Sequence, residues 1–244
     1  MKTILITGAS SGIGRATAEL FLQSGWRVGL LARREETLRD LASGHDAAHV
    51  LRADVTDAAE LEVAFRDFAT RAGRLDVLFN NAGSFGPTAP IDEVALEDWR
   101  RIMAVNLDGM FMAARLAFGQ MRVQHPKGGR IINNGSLSAH SPRPGSVCYT
   151  TTKHAITGLT RSLSLDGRPF DIACGQIDIG NARTELVDDL NARVLEADPE
   201  AELMPMMDVE DAARAVFHMA SLPAGANVLF MTVMATKMPY IGRG

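Results

Sequence analysis

This sequence has few cysteines and no long apolar run. Its 244 residues include two cysteines, Cys148 and Cys174, which cannot build a disulfide framework. No apolar run reaches the ~18 residues that a transmembrane helix needs. Met1-Lys2 leads directly into the apolar run Thr3–Ile6, so we expect no signal peptide. These features predict a soluble, cytoplasmic protein without a membrane partner.

The chain also lacks a basic surface and a linker. Its formal net charge is −4 at pH 7, and its charges are scattered without a basic run, which argues against a nucleic-acid partner. No stretch is rich enough in Gly, Pro and Ser to join separate domains. With 46% hydrophobic residues, residues 1–244 are predicted to form a single domain with a sizeable core.

Short apolar runs alternate with longer amphipathic stretches. Most short runs are continuous, as expected for strands buried on both faces of a parallel sheet. The pattern predicts an α/β fold of the Rossmann type: a doubly wound, mostly parallel sheet of about seven strands with helices on both faces. The predicted strands are Thr3–Ile6, Arg27–Leu31, His49–Ala53, Leu75–Asn80, Gly129–Asn134, Ile172–Ile177 and Val228–Val233. The predicted helices are Ile13–Ser24, Glu35–Leu41, Ala58–Arg71, Leu96–Gln124, Ser146–Leu165 and Val209–Ser221.

A glycine-rich loop, Thr7–Gly14, follows the first predicted strand and opens the first helix. Gly8, Gly12 and Gly14 have the spacing G-x-x-x-G-x-G, and glycine lets a backbone approach a pyrophosphate closely. The helix N-terminus offers free N–H groups and a partial positive charge to the anion. The loop is therefore predicted to bind a dinucleotide. The alternative is a tight turn without a ligand.

The second predicted strand ends without the acid that usually holds the ribose 2′-hydroxyl of NAD. It ends Ala32-Arg33-Arg34, with no acid before Glu35. A guanidinium suits a 2′-phosphate because it can form two parallel hydrogen bonds to it. We therefore predict NADP rather than NAD, with Arg33 as the main contact and Arg15 or Arg34 as helpers. The alternative is that these arginines are solvated charges at the start of a helix.

Tyr149 and Lys153 have the spacing of an acid/base pair. They stand four residues apart on a predicted helix, so their side chains point along one face. A carbonyl that accepts a hydride needs a proton, and a tyrosine must have its pKa lowered by roughly 3 units to cycle near neutrality. An ammonium about 6 Å away supplies roughly 2 units, and a positive nicotinamide can supply the rest. The alternative is an exposed Tyr and Lys without a role.

Together these motifs resemble the short-chain dehydrogenase/reductase family in its single-domain form, over nearly the whole chain. The stretch Asn80–Gly83 matches the family's Asn-Asn-Ala-Gly after the fourth strand. Asn106, a poor residue for a helix interior, stands where the family has an active-site Asn at a helix break. Ser136 precedes Tyr149 by the family's usual 13 residues, with Ser138 as a close competitor.

The resemblance implies an NAD(P)-dependent oxidoreductase of carbonyls and secondary alcohols, and no metal. Tyr149 is the expected acid/base, and Lys153 lowers its pKa and binds the nicotinamide ribose. Ser136, at the end of the fifth strand, can stabilise the substrate oxygen, and Asn106 would support a proton-relay water. The predicted cofactor-binding residues are Gly8, Ser10, Ser11, Gly12, Ile13, Gly14, Arg33, Asp54, Val55, Asn81, Ala82, Gly83, Tyr149, Lys153, Ile179 and Thr184.

Two of these predicted cofactor contacts, at Asp54-Val55 and at Ile179, have an alternative interpretation. Asp54-Val55 looks like the pair that meets the adenine in this family, but Asp54 could equally cap the next helix. The family's usual Pro-Gly after the sixth strand is Ile179-Gly180 here. The missing Pro leaves the backbone shape and the Ile179 contact in doubt, whereas Thr184 keeps the position that the family uses near the carboxamide.

The segment 185–207 is predicted to cover the site as a lid. Its acids disfavour an anionic substrate unless His140 or Arg143 reaches it, although they could simply be a solvent face. Its apolar residues, methionines among them, suit a wall that closes over varied apolar shapes. We therefore predict a neutral, mainly apolar ketone or aldehyde, or the matching secondary alcohol.

Two other functions remain open. A cofactor-retaining epimerase or dehydratase usually has a longer substrate domain than the about 65 residues that follow Ile179. A non-catalytic NADP sensor would need no catalytic set. Helices Leu96–Gln124 and Ser146–Leu165 carry apolar residues around much of their circumference, which predicts a homo-oligomer, a tetramer or a dimer.

Overall fold

The computed structural model describes residues 1–184, 187–188, 191, 195–196, 198, 200 and 203–241. Its strands are β1 (Thr3–Thr7), β2 (Arg27–Ala32), β3 (Ala48–Arg52), β4 (Val77–Asn80), β5 (Gly129–Asn134), β6 (Ile172–Ile179), β7 (Ala182–Arg183), β8 (Met207–Asp208) and β9 (Phe230–Val233). A seven-stranded parallel sheet has the order β3-β2-β1-β4-β5-β6-β9. The strand order reverses between β1 and β4, so this is a switch point where ligands bind. The predicted doubly wound sheet is confirmed.

Helices connect the strands and cover the sheet. They are α1 (Gly12–Gln23), α2 (Glu35–Ala42), α3 (Ala58–Ala72), α4 (Leu96–Met103), α5 (Gly109–Val123), α6 (Val147–Asp166) and α7 (Val209–Ser221). Local chemistry sets their ends. The side chain of Asp57 accepts hydrogen bonds from two N–H groups at the start of α3, and Gly73 ends that helix with a φ of 80°.

Both faces of the sheet are buried, which explains the continuous apolar runs. Ile4 and Ile6 of β1 belong to one core cluster with Phe21 of α1. Leu5, between them, belongs to a second cluster with Leu61 of α3. All five side chains are fully buried. Successive residues of a strand point to opposite faces of the sheet, so the burial of three consecutive residues of β1 shows that both faces are covered.

The helix predicted as Leu96–Gln124 consists of α4, a π-helical segment at Ala104–Asp108, and α5. By length and composition alone, Leu96–Val123 could also cross a membrane, with a mean hydropathy of 1.2. The core helix of a folded domain meets the same criterion, and Ile102 and Met110 are buried here. This stretch therefore packs on the core through part of its surface, and its composition is weak evidence for a membrane span.

A short parallel pair of strands, β7 and β8, was not predicted. It joins Ala182–Arg183 to Met207–Asp208, and the N–H of Met207 also donates to the main-chain oxygen of Asn181 (3.0 Å). The pair therefore brings together the two ends of the predicted lid. About half of that lid, residues 185–207, lies outside the described residues, so its closure stays a prediction.

Candidate active site

The glycine loop joins β1 to α1 at the switch point of the sheet. Gly8 and Gly12 have φ angles of 69° and 52°, which favour glycine. A Cβ on Gly14 would overlap the carbonyl oxygen of Gly8, and one on Gly8 would lie 3.0 Å from the Cα of Ala82. The N-cap residue of α1, Ser11, makes no side-chain cap hydrogen bond, which leaves the first N–H groups of the helix for an anion.

Thr7 ties this loop to the stretch that follows β4. Its hydroxyl oxygen accepts the N–H groups of Asn81 (2.8 Å) and Ala82 (3.0 Å), and Nδ2 of Asn81 donates to the Thr7 main-chain oxygen (3.0 Å). Asn134, at the end of β5, donates to Oδ1 of Asn81 (2.9 Å). Gly83 follows, exposed at the same edge. The carboxyl ends of three neighbouring strands therefore form one rigid edge.

Arg34, rather than Arg33, contacts the glycine loop. Nη2 of Arg34 lies 3.1 Å from the hydroxyl oxygen of Ser10. The side chain of Arg33 is 77% exposed, with Nη1 3.7 Å from Oδ2 of Asp54. Arg15 is engaged in an ion pair within α1. The residue predicted as the main 2′-phosphate contact thus extends into solvent beside a carboxylate, whereas its neighbour is anchored to the loop.

Asp54 and Val55 follow β3. Oδ1 of Asp54 accepts the N–H and the hydroxyl of Thr56 (2.9 and 2.8 Å), whereas Asp57 is the residue that caps α3. The alternative that Asp54 is the helix cap is therefore wrong. Val55 is buried and packs against Gly109 at the start of α5. The adenine contact of the Asp54-Val55 pair stays a prediction.

Ile179 and Thr184 flank the turn after β6. Ile179 is the last residue of that strand and is buried, and the N–H of Gly180 donates to the main-chain oxygen of Val233 (2.8 Å). The strand therefore continues through the position where the family has Pro. A Cβ on Gly12 would lie 3.2 Å from Cγ2 of Thr184, so Thr184 lies directly beside the glycine loop. Ile13 of that loop packs against the core.

Helix α6 carries Tyr149 and Lys153 one turn apart. Lys153 is 3% exposed, and its Nζ donates to the main-chain oxygen of Asn134 at the end of β5 (2.7 Å). The same Nζ lies 5.4 Å from the centroid of the Tyr149 ring. The ring of Phe85 lies 5.1 Å from that of Tyr149. The pair is thus built into the sheet edge rather than exposed on a helix.

Ser136 lies just beyond β5 and is buried. Its hydroxyl oxygen accepts the N–H of Ser138 (3.1 Å), and its side chain is the hydrogen-bonding group that acts on the phenol of Tyr149. Ser138 is buried as well, but its bond to Ser136 uses its main-chain N–H. The effect of Ser136 on the pKa of Tyr149 therefore favours Ser136 over Ser138 as the serine that acts on the phenol.

Burial dominates the electrostatics of this site. It raises the pKa of Tyr149, while the hydrogen bond with Ser136 and the charge of Arg143 lower it and the charge of Asp178 raises it. Burial also lowers the pKa of Lys153 to about 8, against the opposing effect of Asp178. The net effect of the protein's own residues raises the pKa of the phenol, so the role of Lys153 in lowering it stays a prediction. Removing a phenolate from water destabilises it by more than Ser136 and Arg143 stabilise it.

Asn106 lies in the π segment and is completely buried. Its Oδ1 accepts the N–H of Ser84 (2.7 Å), and its Nδ2 donates to the Ser84 main-chain oxygen (2.7 Å) and lies 3.3 Å from Oγ1 of Thr152. The amide thus holds the segment after Gly83 against α6. The role of Asn106 in holding a proton-relay water stays a prediction.

Asp178 and His140 form a contact that sequence reasoning missed. Asp178 of β6 is 1% exposed, and its Oδ1 accepts the main-chain N–H of Ser136 (2.9 Å) and the amide of Gln176 (2.7 Å). Its Oδ2 lies 2.8 Å from Nε2 of His140. Gly135 makes room, since a Cβ there would overlap Oδ1 of Asp178. An acid inside an apolar strand was the available signal.

The chain belongs to the short-chain dehydrogenase family. The family model described as short chain dehydrogenase matches residues 2–195. An uncharacterised oxidoreductase of Staphylococcus saprophyticus is 32% identical over 235 residues, which cover 93% of this chain and 93% of that protein. The predicted family resemblance is confirmed, and with it the class of oxidoreductases.

Two solved structures are similar in fold. The closed form of serine dehydrogenase complexed with NADP+ has a TM-score of 0.89 and 26% identity, and the match covers 99% of this chain and 98% of that one. A 3-ketoacyl-(acyl-carrier-protein) reductase from Brucella melitensis complexed with NADH has a TM-score of 0.85 and 25% identity, with 96% of each chain covered. One of these two structures thus holds NADP+ and the other holds NADH, so proteins similar to this chain bind NAD(P)(H).

Proposed function

We propose that this protein is an NADP-dependent oxidoreductase that transfers a hydride between the nicotinamide and a carbonyl or secondary alcohol. One observation carries the proposal: Tyr149, Lys153 and Ser136 converge at the end of β5, beside the glycine loop. Ligands of doubly wound sheets bind outside the carboxyl ends of the strands. The cytoplasm is the proposed location.

The residues at the switch point fit a dinucleotide. Gly8 and Gly14 leave a cradle that a Cβ would fill, and the N-terminus of α1 suits the pyrophosphate. The nicotinamide supplies or accepts the hydride when it is bound. Thr184, beside Gly12, is proposed to contact the carboxamide, and Lys153 the ribose.

The protein's own residues move the proton. Because burial raises the pKa of Tyr149, the phenol keeps its proton near neutrality and can donate it to a carbonyl oxygen. The hydroxyl of Ser136 donates a second hydrogen bond to that oxygen and stabilises the charge that develops there. Lys153 replenishes the proton through a water held by Asn106.

Turnover tests this proposal and separates it from its alternatives. A panel of ketones, aldehydes and secondary alcohols is followed by NADPH absorbance, with neutral and carboxylate-bearing compounds matched in size at two salt concentrations. A reductase turns over free cofactor, an epimerase or dehydratase converts substrate without net cofactor change, and a sensor does neither. We expect the neutral, apolar compounds to react best, and a salt-sensitive preference for carboxylates would contradict that expectation.

Arg33 is proposed to set the preference for NADP. A guanidinium bonded to a 2′-phosphate is worth about 1.5–3 kcal/mol, so Arg33→Ala should weaken NADPH binding about 10- to 100-fold and hardly change NADH binding. Calorimetric titration of both cofactors measures this. Arg34→Ala should weaken the binding of both NADPH and NADH, since Arg34 contacts the glycine loop through Ser10.

Arg39→Ala is the control for this experiment, because that arginine is paired within α2. It should leave both affinities unchanged. An equal loss of NADPH and NADH affinity in Arg33→Ala would show that Arg33 does not recognise the phosphate.

A homo-oligomer, a tetramer or a dimer, is proposed from the exposed faces of α5 and α6. Phe111, Val123 and Leu165 are each more than half exposed, and apolar surface of this kind marks an interface. Light scattering at micromolar concentration should give a multiple of the 26.3 kDa chain mass. Phe111→Glu should lower that mass, because a charge would be buried without a partner, while its circular dichroism spectrum stays unchanged. A wild-type monomer would contradict the proposal.

A further inference from the structure

The contact between Asp178 and His140 adjoins Ser136 and Tyr149. One carboxylate connects them: Oδ1 accepts the main-chain N–H of Ser136, and Oδ2 lies 2.8 Å from Nε2 of His140. Asp178 is completely enclosed, whereas the side chain of His140 is 41% exposed. Asp178 can therefore fix the ring of His140 while leaving its other edge open.

Hydrogen-bond chemistry defines what that open edge offers. Two N–H groups already bind Oδ1 of Asp178, as suits an ionised carboxylate, which only accepts. Nε2 of His140 must then carry the proton of the shared bond. In the neutral imidazole the other nitrogen, Nδ1, is an acceptor. A protonated His140 would have its charge balanced by Asp178, so the pair as a whole does not favour an anion.

We propose that His140 binds the substrate through Nδ1 and accepts a hydrogen bond from a hydroxyl group next to the reacting carbon. The substrate is then an α-hydroxy ketone or aldehyde, or the matching vicinal diol. This inference rests on the proposed function, in which Ser136 holds the reacting oxygen. Because one carboxylate holds both residues, the two substrate oxygens must lie close together. Asp178 is the positioning residue of this contact.

The aromatic wall beside the site agrees with such a substrate. Phe85 is 53% exposed and lies against the ring of Tyr149, so it offers an apolar face to C–H groups while His140 takes the hydroxyl. The substrate is thus neutral, as the sequence predicts, but it carries a second oxygen that the sequence argument did not require.

Matched carbonyl pairs test the proposal: acetoin against 2-butanone, and 2-hydroxycyclohexanone against cyclohexanone. The wild-type kcat/KM should favour the hydroxylated compound about tenfold, as one hydrogen bond allows. In His140→Gln the side-chain amide can still donate to Asp178 but lacks the Nδ1 acceptor. It should lose the preference, mainly through KM, at unchanged melting temperature. His140→Asn, whose amide oxygen can stand near Nδ1, should keep part of it.

Saturation-transfer NMR of the same pairs with the enzyme and NADP+ measures binding without turnover. Selective binding of the hydroxylated compounds that His140→Gln abolishes supports the inference even if no compound is turned over, in which case the proposed function alone fails. Turnover or binding without a preference for the hydroxyl overturns the inference, and so does a preference that survives in His140→Gln. No binding and no turnover of either hydroxylated compound also overturns it.

Discussion

Tyr149→Phe should lower kcat by about 10²–10⁴, with NADPH affinity nearly unchanged. The substitution removes the phenolic proton but keeps the ring, which contacts Phe85 and lies near the ammonium of Lys153. Ser136 remains able to donate to the substrate oxygen, but the phenolic proton that completes the transfer is gone. Single-turnover kinetics with NADPH should place the loss in the chemical step.

Tyr240→Phe is a matched control, because Tyr240 is the other of the two tyrosines in the chain. It packs against the core and should leave kcat unchanged. If Tyr149→Phe retains more than about a tenth of wild-type kcat, another group carries the proton. Lys153 would then be the next candidate, because burial lowers its pKa to about 8.

The raised pKa of Tyr149 was not foreseeable from spacing alone. Four residues on a helix place Tyr149 and Lys153 on one face, as the sequence predicted, and the Coulomb effect of an ammonium on a phenolate follows from that distance. The opposing effect is the loss of water around the phenol, which raises its pKa. That loss depends on how α6 packs against the end of β5. Burial is a property of the assembled site and has no signature within a few residues of sequence.

The sheet itself was predictable because its information is local. Ile4, Leu5 and Ile6 are all apolar because β1 is covered on both faces, so a continuous run indicates a central parallel strand. The break near Asn106 was also visible, since Asn competes poorly inside a helix. The structure realises it as a π segment, which sequence could not specify.

Contacts between distant residues were the part that sequence could not supply. His140 and Asp178 are 38 residues apart in the chain and meet only because β5 and β6 are neighbours. Arg33 and Arg34 raise a related difficulty: they are identical and adjacent, and the backbone direction at the end of β2 alone decides which one meets Ser10. The sequence limited the main phosphate contact to a few arginines without deciding between Arg33 and Arg34, and it did not pair His140 with Asp178.

Gly14→Ala should damage both stability and cofactor binding. The new Cβ would overlap the carbonyl oxygen of Gly8 and lie 2.7 Å from Nδ2 of Asn81. The oxygen belongs to the backbone and cannot rotate away, so the loop must move. Overpacking of this kind costs typically about 1–3 kcal/mol, which for a chain of this length lowers Tm by roughly 2–12 °C. NADPH affinity should fall at least about tenfold, because the displaced loop no longer matches the pyrophosphate.

Gly225→Ala separates this steric effect from the general effect of losing a glycine. A Cβ on Gly225 would meet no atom within 4 Å, so that variant should bind NADPH normally and gain about 0.4–1 kcal/mol of stability from a less flexible unfolded chain. Differential scanning calorimetry and cofactor titration measure both variants. If Gly14→Ala melts and binds NADPH like the wild type, the loop has more freedom than its packing against Gly8 and Asn81 indicates. The cofactor cradle would then have to lie elsewhere along this edge of the sheet.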